Sequence, residues 1–268
     1  MMRKADNDSW GENHPRLTVD LAVSEQEISE SLALRHQVFV QELGARSVGA
    51  DAALETDGLD DYCHHLIVRD QQTGKVVAST RILTDTQARV AGGFYSEAEF
   101  DLSAIYGLPG RIMEIGRTCV HPGYRNGAAI GTLWAGLAQF MDINRFGHLI
   151  GCASIPAADG GAEAKAVMAQ LRGRYLAPDN LRVVPRRALP ARLPAREGRP
   201  RMPPLLKAYM RLGAQICGEP CLDPVFGTAD VFVLLDCDRL HRRYHRHFIS
   251  RAAEARTPLR GRESLVAA

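Results

Sequence analysis

Two apolar rhythms alternate along the 268-residue chain. Short apolar runs rich in β-branched residues occur at 17–23 (LTVDLAV), 64–70 (HHLIVRD), 75–84 (KVVASTRILT), 111–120 (RIMEIGRTCV), 148–156 (HLIGCASIP) and within 221–236. Their length and composition predict strands. Between them, apolar positions return every third or fourth residue and predict helices over 24–44, 128–145, 161–176 and 205–218. The first of these opens with Ser24 and has Glu27 three residues on, a capping-box signature, and Gly44 ends it. The tetrapeptide QQTG joins the second and third strands as a hairpin. Residues 94–110 read as a helical connection, and residues 45–61 as a long acidic loop. The proline-rich stretch 181–204 excludes a helix over most of its length.

Strands alternate with helices without an internal repeat or a convincing linker. The expectation is one α/β (α+β) domain over 18–249, a disordered start over 1–17 and a basic flexible tail over 250–268. Hydrophobic residues at 46% and charged residues at 24% suit a soluble globular protein. The net charge of +2 hides a local excess: seven arginines lie between Arg182 and Arg201 against a single acid, Glu197. That run lacks interleaved aromatics, which argues against nucleic acid. It suits an acidic protein partner or anionic lipid head groups. No apolar run approaches the ~20 residues that span a bilayer, and the start lacks an apolar signal core, so a cytoplasmic location is expected. The His/Arg-rich segment after Arg239 leaves room for a peripheral contact at the inner membrane face. Six cysteines without a Cys-x2-Cys pair read as reduced, buried small hydrophobes, and no metal site is expected.

Candidate chemistry concentrates in residues 111–137. A strand carrying Glu114 and Arg117 runs into the turn HPGYRNG and then a helix start. A helix N-terminus offers unpaired N–H groups and partial positive charge, and so attracts anions. A tight strand-to-helix connection would look the same, so order and spacing must decide.

They do. CVHPGYRNGAAIG resembles the Val-x-Pro-x-x-Arg-x-x-Gly-x-Gly/Ala loop of the GCN5-related N-acetyltransferase (GNAT) superfamily, with Val120, Pro122 and Arg125 matching. Ala128 and Ile130 occupy the glycine slots, and the bulk of Ile130 favours a donor without an adenosine diphosphate. Seven ordered blocks between residues 30 and 248, among them LALRHQVFVQELGA, VASTRIL, MEIGRTCVHPGYRNGAAIGTLWAGLAQF and PPLLKAYMRLGAQICGEPCLDPVFGTADVFVLL, resemble the L-ornithine Nα-acyltransferases. More distantly they are similar to acyl-homoserine-lactone synthases. The resemblance implies a GNAT-like fold, a mixed and mostly antiparallel central sheet with splayed strands flanked by helices. It also implies transfer of a (3-hydroxy)acyl chain from acyl carrier protein to the α-amine of ornithine, the first step of ornithine-lipid synthesis. No cofactor is held permanently; the phosphopantetheine-linked donor is a substrate.

Aminolysis of a thioester needs a neutral amine, an oxyanion stabiliser and a proton for the leaving thiolate. Glu114 is the candidate base, because alternation places it beside Ile112, Gly116, Thr118 and Val120, where burial raises a carboxyl pKa. A structural salt bridge is the competing reading. Arg117 falls on the opposite face unless a bulge re-aims it. Arg35, Arg81 and Arg117 are candidates for the acceptor's carboxylate, with Phe39 in the same block as Arg35. Asp57, Asp60 and Asp61, with Asp230 as a secondary choice, are candidates for its distal ammonium, although a solvated loop would carry the same aspartates. On the donor side stand Thr118, Val120, Arg125, Gly127, Ala128 and Ala129, and Lys207 extends the basic run towards an acidic carrier protein. Cys119 and Cys152 invite a covalent route, which direct transfer does not require. Another amino-acid acceptor, a lactone-type signal synthase and a non-catalytic carrier-protein or lipid-binding module are the alternatives.

Overall fold

Eight strands form one sheet in the order β1-β2-β3-β5-β6-β10-β8, with β9 beside β10. They are β1 (Leu17–Leu21), β2 (His64–Asp70), β3 (Val76–Thr84), β5 (Arg111–Val120), β6 (Phe146–Pro156), β8 (Gln215–Ile216), β9 (Cys221–Asp223) and β10 (Thr228–Asp236). A separate two-stranded ribbon pairs β4 (Phe100–Asp101) with β7 (Val184–Pro185). Five helices accompany them: α1 (Glu25–Arg35), α2 (Asp85–Ala91), α3 (Ala128–Ile143), α4 (Ala162–Tyr175) and α5 (Pro204–Leu212). The computed structural model describes residues 16–45, 53–193 and 198–237, so the expected disordered start, apart from residues 16 and 17, and the basic tail lie outside the described residues.

Every neighbouring pair in the sheet is antiparallel except β5–β6. The parallel step is imposed by the crossover through α3, a strand–helix–strand unit. All nine residues of β3 are buried, because both faces of the sheet are covered there. One face packs Leu133, Trp134, Leu137, Phe140 and Met141 of α3 against Leu66, Ile82, Met113 and Leu149, with α4 and α5 extending the same layer. The opposite face is built by Phe94, Phe100 and Ile105 against Leu83, Ile150 and Phe232. Beside it, Leu34 and Val38 lie on Ile67, Val76 and Cys119.

Only half of the capping box expected at the start of α1 forms, because Glu27 reaches back to the residue before the N-cap. The Ser24 hydroxyl accepts from the Glu27 N–H, and Glu27 accepts from the Val23 N–H. Four further expectations need correction. The helix over 205–218 ends at Leu212, where Gly213 turns left-handed at φ = 95°, and Gln215–Ile216 join the sheet as β8. The helix over 24–44 ends its α geometry at Arg35 and widens into a π-helical turn, His36–Glu42. Residues 94–110 do not form a helix: a 3-10 turn, Tyr95–Ala98, leads into β4 and further turns, with the chain drawn into the ribbon by β7. A helix not foreseen, α2, follows β3 directly, opened by a capping box of Thr84 and Gln87. No helix among the described residues is long and apolar enough to cross a membrane.

Candidate active site

Pairing between β5 and β6 is confined to Arg111↔Phe146, Ile112↔His148, Met113↔Leu149 and Glu114↔Ile150. Both strands continue for six more residues without pairing to each other. Gly151 stands at the fork. A Cβ there would lie 2.6 Å from the Ile115 carbonyl oxygen, so only glycine lets the strands leave each other at this angle. The opening is a cleft of about 220 Å³. Tyr95, Arg117, Cys152, Asp230 and Phe226 line one side, and Leu205 and Tyr209 of α5 reach it from the other. The sheet is therefore parted right through.

On its other edge β5 carries a bulge. Ser79 pairs with Cys119 and Arg81 with Gly116, so two steps on β3 face three on β5. Arg117 takes up the extra residue with φ = 52°, a left-handed conformation costing about 1 kcal/mol outside glycine. The bulge turns its side chain onto the face of Arg81 and Glu114, which strict alternation would have denied. There Arg117 donates to Glu55 (3.1 Å) and Asp57 (2.9 Å), while its guanidinium lies 4.6 Å from the Phe226 ring centre and 5.1 Å from that of Tyr95.

The acidic loop folds over this face and is spent on arginines rather than on solvent. Arg35, fully buried, binds Glu55 and, in a two-pronged contact, Asp60. Arg81 donates from one Nη1 to Asp57 (2.5 Å) and Asp60 (3.1 Å). Three arginines meet three carboxylates, so the network is neutral, and each buried charge finds a hydrogen-bonded partner. Burial pushes the Asp60 carboxyl upward, but the Arg35 hydrogen bond and the neighbouring cations win and hold it down at about 2. His65, at the floor of the network, is driven down to about 4 by burial and stays neutral. One donor is left over: Nη2 of Arg81 is buried without a hydrogen-bond partner. Asp61 is exposed. Phe39 packs edge-on to Phe226 at 6.0 Å and lines the cleft.

Glu114 is buried as alternation predicted, and burial raises its pKa. It does not line the cleft. Its Oε2 accepts from the Tyr95 N–H (2.6 Å), and its Oε1 from the Ser96 N–H (2.9 Å) and hydroxyl. The carboxylate thus caps the 3-10 turn that carries Tyr95, an N-terminal capping role supplied from another strand. Three donors thus already converge on its two oxygens, and the carboxylate holds the turn of Tyr95 in place. No salt bridge holds Glu114.

A second carboxyl group missed by sequence reading lies nearby. Glu99, 7% exposed, makes no hydrogen bond of good geometry on either oxygen, although the Cys152 and Tyr95 side chains lie near enough to favour its charged form. One of its oxygens, one of Asp230 and the Cys152 sulphur lie within 4.8 Å of one another. Glu99 was hidden because 94–110 reads as a helix, whereas Tyr95, Phe226 and Tyr209 carry no local signal beyond being aromatic.

Donor-side residues divide. Thr118 lines the cleft and shares a hydrogen bond with Thr80 (2.7 Å). Gly127 is the left-handed N-cap of α3, Ala128 is exposed, and Ala129 is buried beneath it. Arg125 is clasped by Glu42 at 2.5 and 2.7 Å and donates to the Val120 carbonyl. Ile130 leans on the core rather than across the turn. Lys207 is exposed on α5, two residues from both Leu205 and Tyr209, and does not line the cleft. Cys119 is buried with its thiol pushed up to about 12 by burial, and burial also raises Cys152 well above its ordinary value. Both stay protonated, which disfavours a thiolate nucleophile.

Comparison with known proteins agrees with this architecture. The acetyltransferase (GNAT) domain family matches residues 34–135. A solved CoA-dependent acyl-homoserine lactone synthase shares the fold with a TM-score of 0.54 at 16% identity, over 87% of this chain and 89% of that one. An N-acyl amino acid synthase from uncultured soil microbes gives 0.52 at 10%, over 86% and 96%. Relatives in sequence are nearer. An L-ornithine N(alpha)-acyltransferase of Rhodobacter capsulatus is 36% identical over 251 residues, 89% of this chain and 96% of the relative. One of Brucella abortus is 35% identical over 248 residues, 85% of this chain and 87% of the relative. At that identity, sustained along nearly the full length of both chains, the protein belongs to the L-ornithine Nα-acyltransferase family.

Proposed function

We propose that the protein transfers a (3-hydroxy)acyl chain from acyl carrier protein to the α-amine of L-ornithine, giving a lyso-ornithine lipid. The observation that carries this reading is the parting of β5 from β6 after Glu114, with Arg117 swung into the mouth of the gap by a bulge. A thioester on a thin pantetheine arm fits such a slot end-on, and the edge of β5 left without a strand partner offers backbone donors near Thr118 for the developing oxyanion. The names of the sequence relatives support ornithine as acceptor.

Within that site the division of labour follows from what is already paired. Arg117, which lines the cleft, supports a hydrogen bond to the acceptor's carboxylate, with the unpartnered Nη2 of Arg81 buried behind the lining. The α-amine then lies over the fork, where its nitrogen attacks the thioester carbonyl. The C–N bond forms, the C–S bond breaks, the amine loses a proton to a neighbouring acceptor, and the thiolate gains one. Tyr209 lines the cleft from the α5 side with its pKa raised by burial, so its hydroxyl stays protonated and can hydrogen-bond the departing sulphur. The thiolate takes up the proton that the amine releases. The exposed arginines of 182–201, in so far as they are described, support docking of an acidic carrier protein.

Purified protein incubated with a 3-hydroxyacyl carrier protein and ornithine should release carrier thiol and form the amide, detected by mass spectrometry. Absence of amide with that thioester and with the coenzyme A thioester would overturn the reading. Turnover with the coenzyme A thioester alone would reject the carrier protein as donor.

A further inference from the structure

The acids expected to receive the acceptor's distal ammonium are not available. Asp57 and Asp60 are consumed by Arg35, Arg81 and Arg117, together with Glu55. Across the cleft the balance reverses. Asp230, 4% exposed, is held by the Thr228 hydroxyl at 2.9 Å and lines the cleft with Cys152 and Tyr95. Glu99 lies against Asp230 and Cys152, and neither of its oxygens has a well-formed hydrogen bond; the nearby Cys152 and Tyr95 side chains offset only part of the cost of burying it. Arg117, whose charge reaches Asp230, is already engaged with Glu55 and Asp57.

We infer that Glu99 and Asp230 are the seat of the acceptor's distal ammonium, and that through them the chain selects a diamino acid over a monoamino acid of the same shape. The inference rests on the acyl-transfer reading above.

Three lines converge. Among three atoms all within 4.8 Å of one another there is a point no more than about 2.8 Å from each, which is hydrogen-bond reach for an ammonium nitrogen. An ammonium has three donors and one positive charge, whereas the cluster has acceptors in surplus and an uncompensated acid pair. Two carboxyls this close cannot both ionise in a buried site without a cation. Burial raises both pKa values, with the Asp230 and Asp223 charges adding to it at Glu99 and the Asp223 charge at Asp230, and a bound cation would reverse that. A hard divalent metal fits less well, because the cluster offers it only two carboxylates beside a soft sulphur. Tyr95 stands between the arginine network and this pair, so carboxylate and ammonium of one extended acceptor would be held at opposite ends of the cleft.

The test compares ornithine with norvaline, which has the same carbon chain and no distal amine, using a carrier-protein thioester. The wild-type chain should favour ornithine in kcat/KM by about 100-fold or more, since a site built for a hydrogen-bonded group rejects the analogue lacking it. Glu99→Gln and Asp230→Asn should each shrink that ratio at least tenfold, chiefly through a higher KM for ornithine. Equal wild-type rates with the two amino acids, an unchanged ratio in both variants, or equal losses on both substrates would each overturn the inference while leaving acyl transfer standing. No amide from either amino acid with wild-type chain would overturn the acyl-transfer reading itself, and this inference with it.

Discussion

Replacing Glu114 by glutamine separates a positioning carboxylate from a catalytic one. Three donors converge on its two oxygens: the Tyr95 N–H, the Ser96 N–H and the Ser96 hydroxyl. Glutamine keeps one acceptor oxygen and turns an NH2 group towards the donors of the other. The variant loses at least one charge-assisted hydrogen bond, worth about 1.5–3 kcal/mol, and strands a buried N–H. It also removes a buried charge that is costly in itself, as the raised pKa of Glu114 shows. The net expectation is about 2 kcal/mol of lost stability, or about 4–8 °C in Tm for a domain of this size. Tyr95 then relaxes from beneath Arg81 and Arg117, whose guanidinium carbons lie 5.7 and 5.1 Å from its ring centre, and KM for ornithine rises. Thermal unfolding by circular dichroism and the pH profile of kcat/KM read the two effects. A base acting on the amine would behave otherwise. A Tm within about 1 °C of wild type, a kcat loss of about 1000-fold and disappearance of the acid limb of the profile would refute the positioning role.

Gly151→Ala should shift the fork, because its Cβ would approach the Ile115 oxygen at 2.6 Å; a loss of about 1–3 kcal/mol and of long-chain acyl transfer is expected, and a wild-type melt would refute the constraint. Stability should fall in two stages on acidification. His65 has its folded pKa at about 4 against 6.5, so the unfolded chain takes up that proton first and about 3 kcal/mol drains away as pH falls from 6.5 to 4. Asp60, at about 2 against 3.8, contributes stability that is complete above 3.8 and lost towards pH 2, a further loss of about 2 kcal/mol. Urea unfolding at pH 7.5, 5 and 3.5 measures the first stage, and His65→Gln should flatten it. Glu42→Gln should release Arg125 and lower KM for the carrier-protein thioester by about threefold at low salt; an unchanged KM would exclude Arg125 from the donor site.

Strand 111–120, the turn after it and the helix beyond were legible because their periods change within a few residues and glycine and proline mark the boundaries. Alternation also predicted a buried Glu114. What occupies its oxygens comes from residues 95 and 96, 19 and 18 positions earlier, and nothing local announces a 3-10 turn that presents its N–H groups to another strand. The same limit governs Asp57 and Asp60. Their composition reads as a solvated loop, and only the fold brings Arg35, Arg81 and Arg117 to meet them. Arg117 shows the converse. Strict alternation assigns it the wrong face, and a single inserted residue, set by the register with β3, reverses the assignment.

The short β5–β6 seam has a mechanical corollary. Four residue pairs are all that stitch the leaf β1-β2-β3-β5 to the leaf β6-β10-β8, and α3 is the splint laid across both. Arg81 and Arg117 ride on one leaf, Cys152 and Asp230 on the other. A small change in the angle between leaves would therefore alter the span between the cationic and anionic ends of the site without disturbing either end internally. Deuterium uptake along the seam, measured with and without acceptor, would register that angle.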